Sequence, residues 1–189
     1  SRKYKILSQQ ELLSRIEASK ILIESARKTS DLGFVKKALS MLLFREHGIE
    51  NYQPLFISEK CKEILGCENF AKLAEKLKTP RSRIFPTVAQ SIRSVGFDYK
   101  DFTLEHVVDV NTMTNFLLNS DLSSLANNVI ILGRNSPMCI VTSDEDAKLQ
   151  VCGRNNIEDP WDHYFKVGIK PYKIRGFCGP LKEGLKNHD

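Results

Sequence analysis

The chain reads as an α+β protein, with a helical N-terminal two-thirds followed by a small antiparallel β-meander. Three observations predict this. From residue 9 to about 127, apolar residues recur at helical spacing, with capping residues before the runs and glycines after them. After Asn128 the pattern changes to short, β-branched runs, VIILGR, MCIVTS and KLQVCGR, separated by turns rich in Asn, Ser, Pro and Asp. The composition, 41% apolar and 27% charged over 189 residues, is that of an ordinary globular chain with room for one sizeable core or two small ones. The shift near 128 divides the chain into a helical part, 1–128, and a small sheet, 129–189. These are either separate units or two layers of one domain.

The first helix is expected over 9–28. Ser8 and Glu11 are placed as a capping box, in which a hydroxyl and a carboxylate satisfy amides that have no partner within the helix. Leu12, Ile16, Ser19, Ile23 and Ala26 follow at alternating four- and three-residue steps. That makes a short seam, suited either to a partner helix or to the chain's own core. A second helix, over 31–47, starts at Ser30 or Asp31 and stops at Gly48, with Phe34, Val35, Ala38, Leu39, Leu42 and Leu43 as its apolar face. Residues 49–57, broken by Pro54, read as extended or irregular. Ser58 starts a short helix that Gly66 ends. Helices over 69–77 and 80–95 follow, the second kinked at, or beginning from, Pro86. Residues 103–127 read as further helix in two pieces, capped by Thr103 and Asp121. The three runs after 128 form the meander, YFKVGI and YKIRGF read as two more strands, and the last dozen residues are expected to fray.

Charge is uneven. Residues 1–100 hold 19 Lys and Arg against 11 Asp and Glu, while residues 101–150 hold 2 against 7. A basic half points mildly to a polyanionic partner. No run of about 18 apolar residues is present, and the opening SRKYKILSQQ lacks the apolar stretch of a secretory signal, so no membrane association is expected. Five cysteines at irregular spacing, none in a CxxC pair, read as reduced thiols of a nuclear or cytoplasmic protein.

Residues 69–95, NFAKLAEKLKTPRSRIFPTVAQSIRSVGF, hold the most informative pattern. Ala74 is the small residue needed where two helices cross, and Leu73 and Leu77 give a core face. Lys78, Thr79 and Pro80 form a turn. Ile84, Val88 and Ile92 recur every four residues as the inner face of a second helix. The run LAEKLKTPRSRIF resembles the helix-turn-helix segment of bacterial-type repressors and winged-helix proteins. The resemblance implies DNA binding and transcription regulation, with the second helix as the reader. Arg81, Ser82, Arg83 and Thr87 would then face the groove, with Lys78, Arg93 and Lys100 on phosphates. Lys78 stands where such turns usually hold glycine, and Pro86 lies inside the reader.

Two clusters could contribute metal ligands: Asp159, Asp162 and His163 in EDPWDHYF, and Glu105, His106 and Asp109 in LEHVVD. The alternative is a turn in which an aspartate caps and Trp161 anchors a loop, and a surface pair. No GxGxxG, GxxxxGK[ST], GxSxG or HExxH motif occurs, and no cofactor or metal is expected. Gly133 and Gly153 each open a GRN tripeptide that suits a tight turn. Arg134 and Arg154 beside them are a second possible phosphate contact. The segment KVGIKPYKIRGF interleaves four cations with aromatic and apolar residues, as a base-stacking strand pair or a lysine-protected edge hairpin would. The expectation is a non-enzymatic nucleic-acid-binding module, for DNA or alternatively RNA. The competing expectation is an interaction or scaffold domain that binds a protein or itself through Leu12, Ile16 and Ile23.

Overall fold

Four strands, β1 (Leu55–Ser58), β2 (Phe102–His106), β3 (Met138–Thr142) and β4 (Pro171–Arg175), form one mixed sheet in the order β2-β3-β1-β4. The computed structural model describes residues 7–45, 48–79, 84–153 and 155–178, with the backbone alone for 84–87. β1 and β3 run parallel, with Leu55 opposite Met138 and Ile57 opposite Ile140. β2 and β4 pair antiparallel on the outside. A parallel pair needs a long crossover and burial on both faces. Both are met: about eighty residues separate β1 from β3, and every residue of β3 is buried.

One face of the sheet, bearing Leu55, Ile57, Phe102, Met138 and Ile140, packs on α3 (Glu59–Leu77) and α4 (Ile84–Ser94) through Leu65, Leu73, Leu77, Val88 and Ile92. The other face, with Cys139 and Val141, packs on Leu149 of α7 (Ser143–Cys152) and Tyr164 of α8 (Asp162–Lys166). A third cluster fills a helical bundle of α1 (Gln9–Lys28), α2 (Leu32–Leu39), α5 (Val110–Leu118) and α6 (Leu125–Asn135). The chain enters both parallel strands from this bundle, through Ile49 and Tyr52 before β1 and through α6 before β3. Strands from both sides of residue 128 therefore share one sheet, and no helical unit is set apart there from a β unit.

The helical bulk with a small sheet is as expected, and much of the N-terminal half follows its local signals. Ser8 Oγ accepts from the Glu11 amide (3.2 Å), and Glu11 Oε2 accepts from the Ser8 amide (2.8 Å). Asp31 caps α2, which continues as a π-helical turn over Ser40–Phe44. Gly66, at φ 76°, breaks α3 where the stop was expected, and the chain resumes helix at once. Gly96, at φ 90°, follows α4.

The meander is corrected to a mixed sheet. Of its three expected strands only MCIVTS is one. VIILGR lies in α6, whose buried Leu125, Val129, Ile130, Leu132 and Gly133 recur at helical spacing. KLQVCGR falls in α7 and on the residues after it, and YFK lies in α8. α7 begins with a capping box of its own, Thr142 with Glu145. Residues 102–106 are strand rather than helix, and β1 emerges from the segment read as irregular. The expected fraying of the last dozen residues lies, apart from Cys178, outside the described residues.

The seam on α1 closes on the chain's own bundle. Leu12, Ile16 and Ile23 are 1%, 1% and 0% exposed, so these side chains are not offered to a partner. Burying each contributes about 1.5–3 kcal/mol. The opposite face of α1 carries Glu17 and Lys20, ion-paired at 2.7 Å. Ile16→Ala should therefore lower stability by about 2–5 kcal/mol in urea unfolding. The mass of the folded protein by light scattering should not change.

Candidate functional site

The α3–α4 pair is held from inside. Leu73, Leu77, Val88 and Ile92 are all at most 1% exposed, between the two helices and the sheet. The outer side of α4 leaves Gln90, Arg93 and Ser94 exposed. Lys78 ends α3 with right-handed helical backbone (φ −60°, ψ −32°), so the left-handed turn that glycine usually supplies is not made at this residue. Its Nζ lies 3.9 Å from Glu75. Lys100 is exposed and 3.4 Å from Asp98, which caps the short turn Tyr99–Asp101. Arg81, Ser82 and Arg83 lie outside the described residues, and Thr87 is described for its backbone alone. Along α3 itself, Lys60, Lys62, Lys72 and Lys76 are balanced by Glu59, Glu63, Glu68 and Glu75, so the cationic bias is confined to its C-terminal end and to α4.

On the opposite face of the sheet lies a cleft of about 700 Å³. It is assembled from the end of α6 (Arg134, Asn135), the loop before α8 (Ile157, Glu158, Pro160, Trp161), the end of β4 (Lys173) and the residues after it (Gly176, Phe177). Pro54, Phe56 and Pro137 also line it. Local features place each wall. A register shift between Leu55 and Phe56 sets Lys173 opposite Phe56 across the strands. Asn156 Oδ1 accepts from the Glu158 and Asp159 amides (3.1 and 3.0 Å), an Asx turn that shapes the loop carrying Trp161. Trp161 meets Phe56 edge-to-face, ring centroids 4.7 Å apart, and Tyr164 likewise at 5.0 Å. Gly133 is not a turn residue but a point of close approach: a Cβ there would meet Ile49 Cδ1 at 2.6 Å and Phe177 at 3.0 Å. The Cys178 amide donates to Tyr52 O (3.1 Å), which pins the wall bearing Phe177. The Arg134 guanidinium stands 5.6 Å from the centre of the Phe177 ring. Behind Pro54 and Pro137, Gln53 and Ser136 are fully buried, and Gln53 Nε2 donates to Ser136 O.

Three stretches that the sequence singled out separately, GRN at 133–135, the DPWD loop and the KIRGF strand end, thus meet at this cleft. Arg154 of the second GRN lies outside the described residues. Arg175 does not join it. Its guanidinium is buried and donates to Asn51 O (2.7 Å) and Leu77 O (3.4 Å), which satisfies the last turn of α3. Tyr172 lies against α3, donating to Glu59 at 3.0 Å beneath Lys62.

The two acidic clusters do not gather. Asp109 caps α5, Glu105 and His106 point to opposite faces of β2, and Asp162 pairs with Lys166 at 2.6 Å. Among the described residues, no three His, Cys, Asp or Glu side chains come together to hold a metal ion. Burial pushes the Cys61 thiol up to about 12 and the Cys139 thiol up as well, so neither is a ready nucleophile. At the carboxyl ends of the parallel strands, Glu145 Oε2 accepts from Ser58 Oγ (2.6 Å) and from the Thr142 amide (2.9 Å). That carboxylate is committed to holding the two helix starts together.

Comparison of the chain with family models, curated proteins and solved structures finds no match.

Glu145→Ala should cost about 2–4 kcal/mol in denaturant unfolding, because it removes a buried charge-assisted bond and half a capping box. A second outcome concerns pH. Burial, aided by Arg45, holds His106 down to about 4 against an ordinary 6.5, while Asp109 pulls the other way. Between those values the unfolded chain binds the extra proton, so stability should fall as pH drops from about 6.5 towards 4. His106→Gln should flatten that slope by about 2–3 kcal/mol, measured by unfolding at both ends of the window.

Proposed function

We propose that the protein is a non-enzymatic nucleic-acid-binding module that clasps DNA with the cationic end of the α3–α4 pair. The observation that carries this reading is the way α4 is seated. Val88 and Ile92 are both 0% exposed, which commits the inner face to the core and leaves Gln90, Arg93 and Ser94 on the outer face. A groove-reading helix requires that division. The sequence adds Arg81, Ser82, Arg83 and Thr87 at the N-terminal end of the same helix region, and Lys78 and Lys100 flank it. Arginine suits both guanine edges and phosphates because its planar fork donates two parallel hydrogen bonds. On this reading the module takes part in transcription regulation in the nucleus, or acts on nucleic acid in the cytoplasm. The five cysteines form no disulfide among the described residues, which suits either reducing compartment. The three side chains named for the scaffold reading, Leu12, Ile16 and Ile23, are buried inside the bundle, which favours the nucleic-acid reading over it.

The test is a fluorescence-anisotropy titration with labelled duplex DNA, single-stranded DNA and RNA at about 50 and 200 mM salt. If Lys78, Arg93 and Lys100 each neutralise one phosphate of a duplex, the fourfold rise in salt should weaken binding about 40-fold. Arg81→Ala and Arg83→Ala should each cost about 1–3 kcal/mol of binding with the fold intact. Unchanged binding in both variants, or no binding at the lower salt, would overturn the reading.

A further inference from the structure

We infer that the outer side of α2, and of the π-helical turn Ser40–Phe44 that continues it, docks on the surface of an anionic phospholipid bilayer. The inference does not rest on the α4 reading, and the two surfaces share no residue. Helical spacing puts Phe34, Val35, Ala38, Leu39, Leu42 and Leu43 on one broad apolar face, but the bundle does not take all of it. Val35, Leu39 and Leu43 are at most 5% exposed, while Phe34 is left 66% exposed, Leu32 46% and Met41 38%. Phe34, Lys37 and Met41, three and four residues apart, share the side of the helix turned away from that core. A Cβ at Gly33 would meet nothing among the described residues within 4 Å, so at that position the first turn is uncovered. Single exposed apolar side chains are ordinary, and it is the charge around these that gives them a partner.

From Leu32 to Arg45 the chain holds three cations and no acid. Lys36, Lys37 and Arg45 line a hollow of about 190 Å³ against Asn111 at the start of α5, and no carboxylate lines it. None of the three makes an ion pair among the described residues. The carboxylates that precede the two helices serve as their caps. Asp31 accepts from the Phe34 amide at 3.3 Å, and Asp109 accepts from the Thr112 amide and hydroxyl at 2.8 and 2.6 Å. Exposed apolar side chains set among unpaired cations match a bilayer in both respects, since anionic headgroups lie there over an apolar interior. A headgroup phosphate fits the hollow, and Phe34 and Met41, on the same side of the helix as Lys37, reach the acyl boundary. An acidic polypeptide would need a groove to take its own apolar side chains, whereas a side chain exposed as fully as Phe34 is suited to enter a fluid phase. No helix among the described residues is long and apolar enough to cross a membrane, and none is needed, because this contact lies in the plane of the interface.

The test is cosedimentation of the whole chain with vesicles of phosphatidylcholine alone, and of phosphatidylcholine with about 30% phosphatidylserine, which gives the bilayer a negative surface potential. Binding should be saturable on the anionic vesicles and absent on the neutral ones. Lys37→Ala and Arg45→Ala should each weaken it about fivefold, the worth of one cation at such a surface. Phe34→Ser should weaken it about tenfold. All three side chains are exposed, so urea unfolding should be unchanged in each variant. Two controls separate docking from the general attraction of a basic chain to an anionic vesicle. Arg93→Ala, on the outer face of α4, should leave vesicle binding unchanged. In Phe34→Trp, which adds a second tryptophan to Trp161, emission should be quenched by lipids brominated in the acyl chain, and wild-type emission should not. Duplex binding by anisotropy should be unchanged in Phe34→Ser, so the two surfaces fail or succeed separately. Absence of binding to anionic vesicles, binding indifferent to Phe34→Ser, or no acyl-chain quenching at position 34 would overturn the inference. So would a mass by light scattering that doubles with concentration and reverts in Phe34→Ser, which would give this face to a second copy of the chain. Polyglutamate bound as tightly as the vesicles, and equally lost in Phe34→Ser, would overturn it in favour of an acidic polypeptide.

Discussion

The buried hydrogen bond from Ser58 to Glu145, at 2.6 Å, holds together the two strand–helix units around which the molecule is built. β1 and β3 are parallel, so no hairpin can join them, and this bond adds to the sheet hydrogen bonds between them. At their carboxyl ends the chain turns into α3 on one side and α7 on the other. One carboxylate serves both starts: it accepts from the Ser58 hydroxyl that caps α3 and from the Thr142 amide at the cap of α7. The layers on both faces of the sheet diverge from this point. The α3–α4 core and the α7–α8 core are positioned by the same residue.

The opposite end of the parallel strands is organised by shape rather than charge. Ile49 and Tyr52 leave the bundle just before β1, and α6 leaves it just before β3. Gly133 lets α6 come close enough for Ile49 and Phe177 to meet its backbone. The cleft is the space left where this junction, the Trp161 loop and the end of β4 fail to close completely. Its residues run from Pro54 to Phe177, so it forms only once β4 has paired with β1. Non-local pairings of this kind form late and slowly compared with the helices of the bundle.

That separation explains how much could be read in advance. Features set by residues three or four apart were legible: the Ser8–Glu11 box, the Asp31 and Ser58 caps, the stops at Gly66 and Gly96, and the inner faces of α1, α3 and α4. Two kinds of feature were not. Val129, Ile130 and Ile131 are β-branched and read locally as a strand, but the bundle gives Val129 and Ile130 a helical partner surface, and packing overrides that preference. In α7 the Thr142–Glu145 box was present in the sequence, but the apolar run after it was read as a strand. Short β1 and β2 carry too few residues to show a period, and their identity comes from β3 between them. At the cleft, Arg134, Trp161 and the KIRGF segment each stood out as unusual. Nothing within any one of them says that Phe56 would bring all three together.

The sheet also limits how the cleft and the outer face of α4 can influence one another. Leu55 and Ile57 belong to the core under α3 and α4, while Phe56 between them faces the cleft. Anything seated in the cleft against Phe56 is thus one residue away from the packing that seats α4. Proximity is not coupling, because β1 is hydrogen-bonded on both edges and its two neighbouring side chains are fully buried. For occupancy of the cleft to be felt at the outer face of α4, a ligand would have to favour one of two arrangements of β1 over the other. The strand does have one irregularity, the register shift between Leu55 and Phe56 against β4. It lies directly opposite Lys173, the cation at the cleft. If the two sites communicate, that bulge is where the strand can yield without breaking the parallel ladder on its other edge.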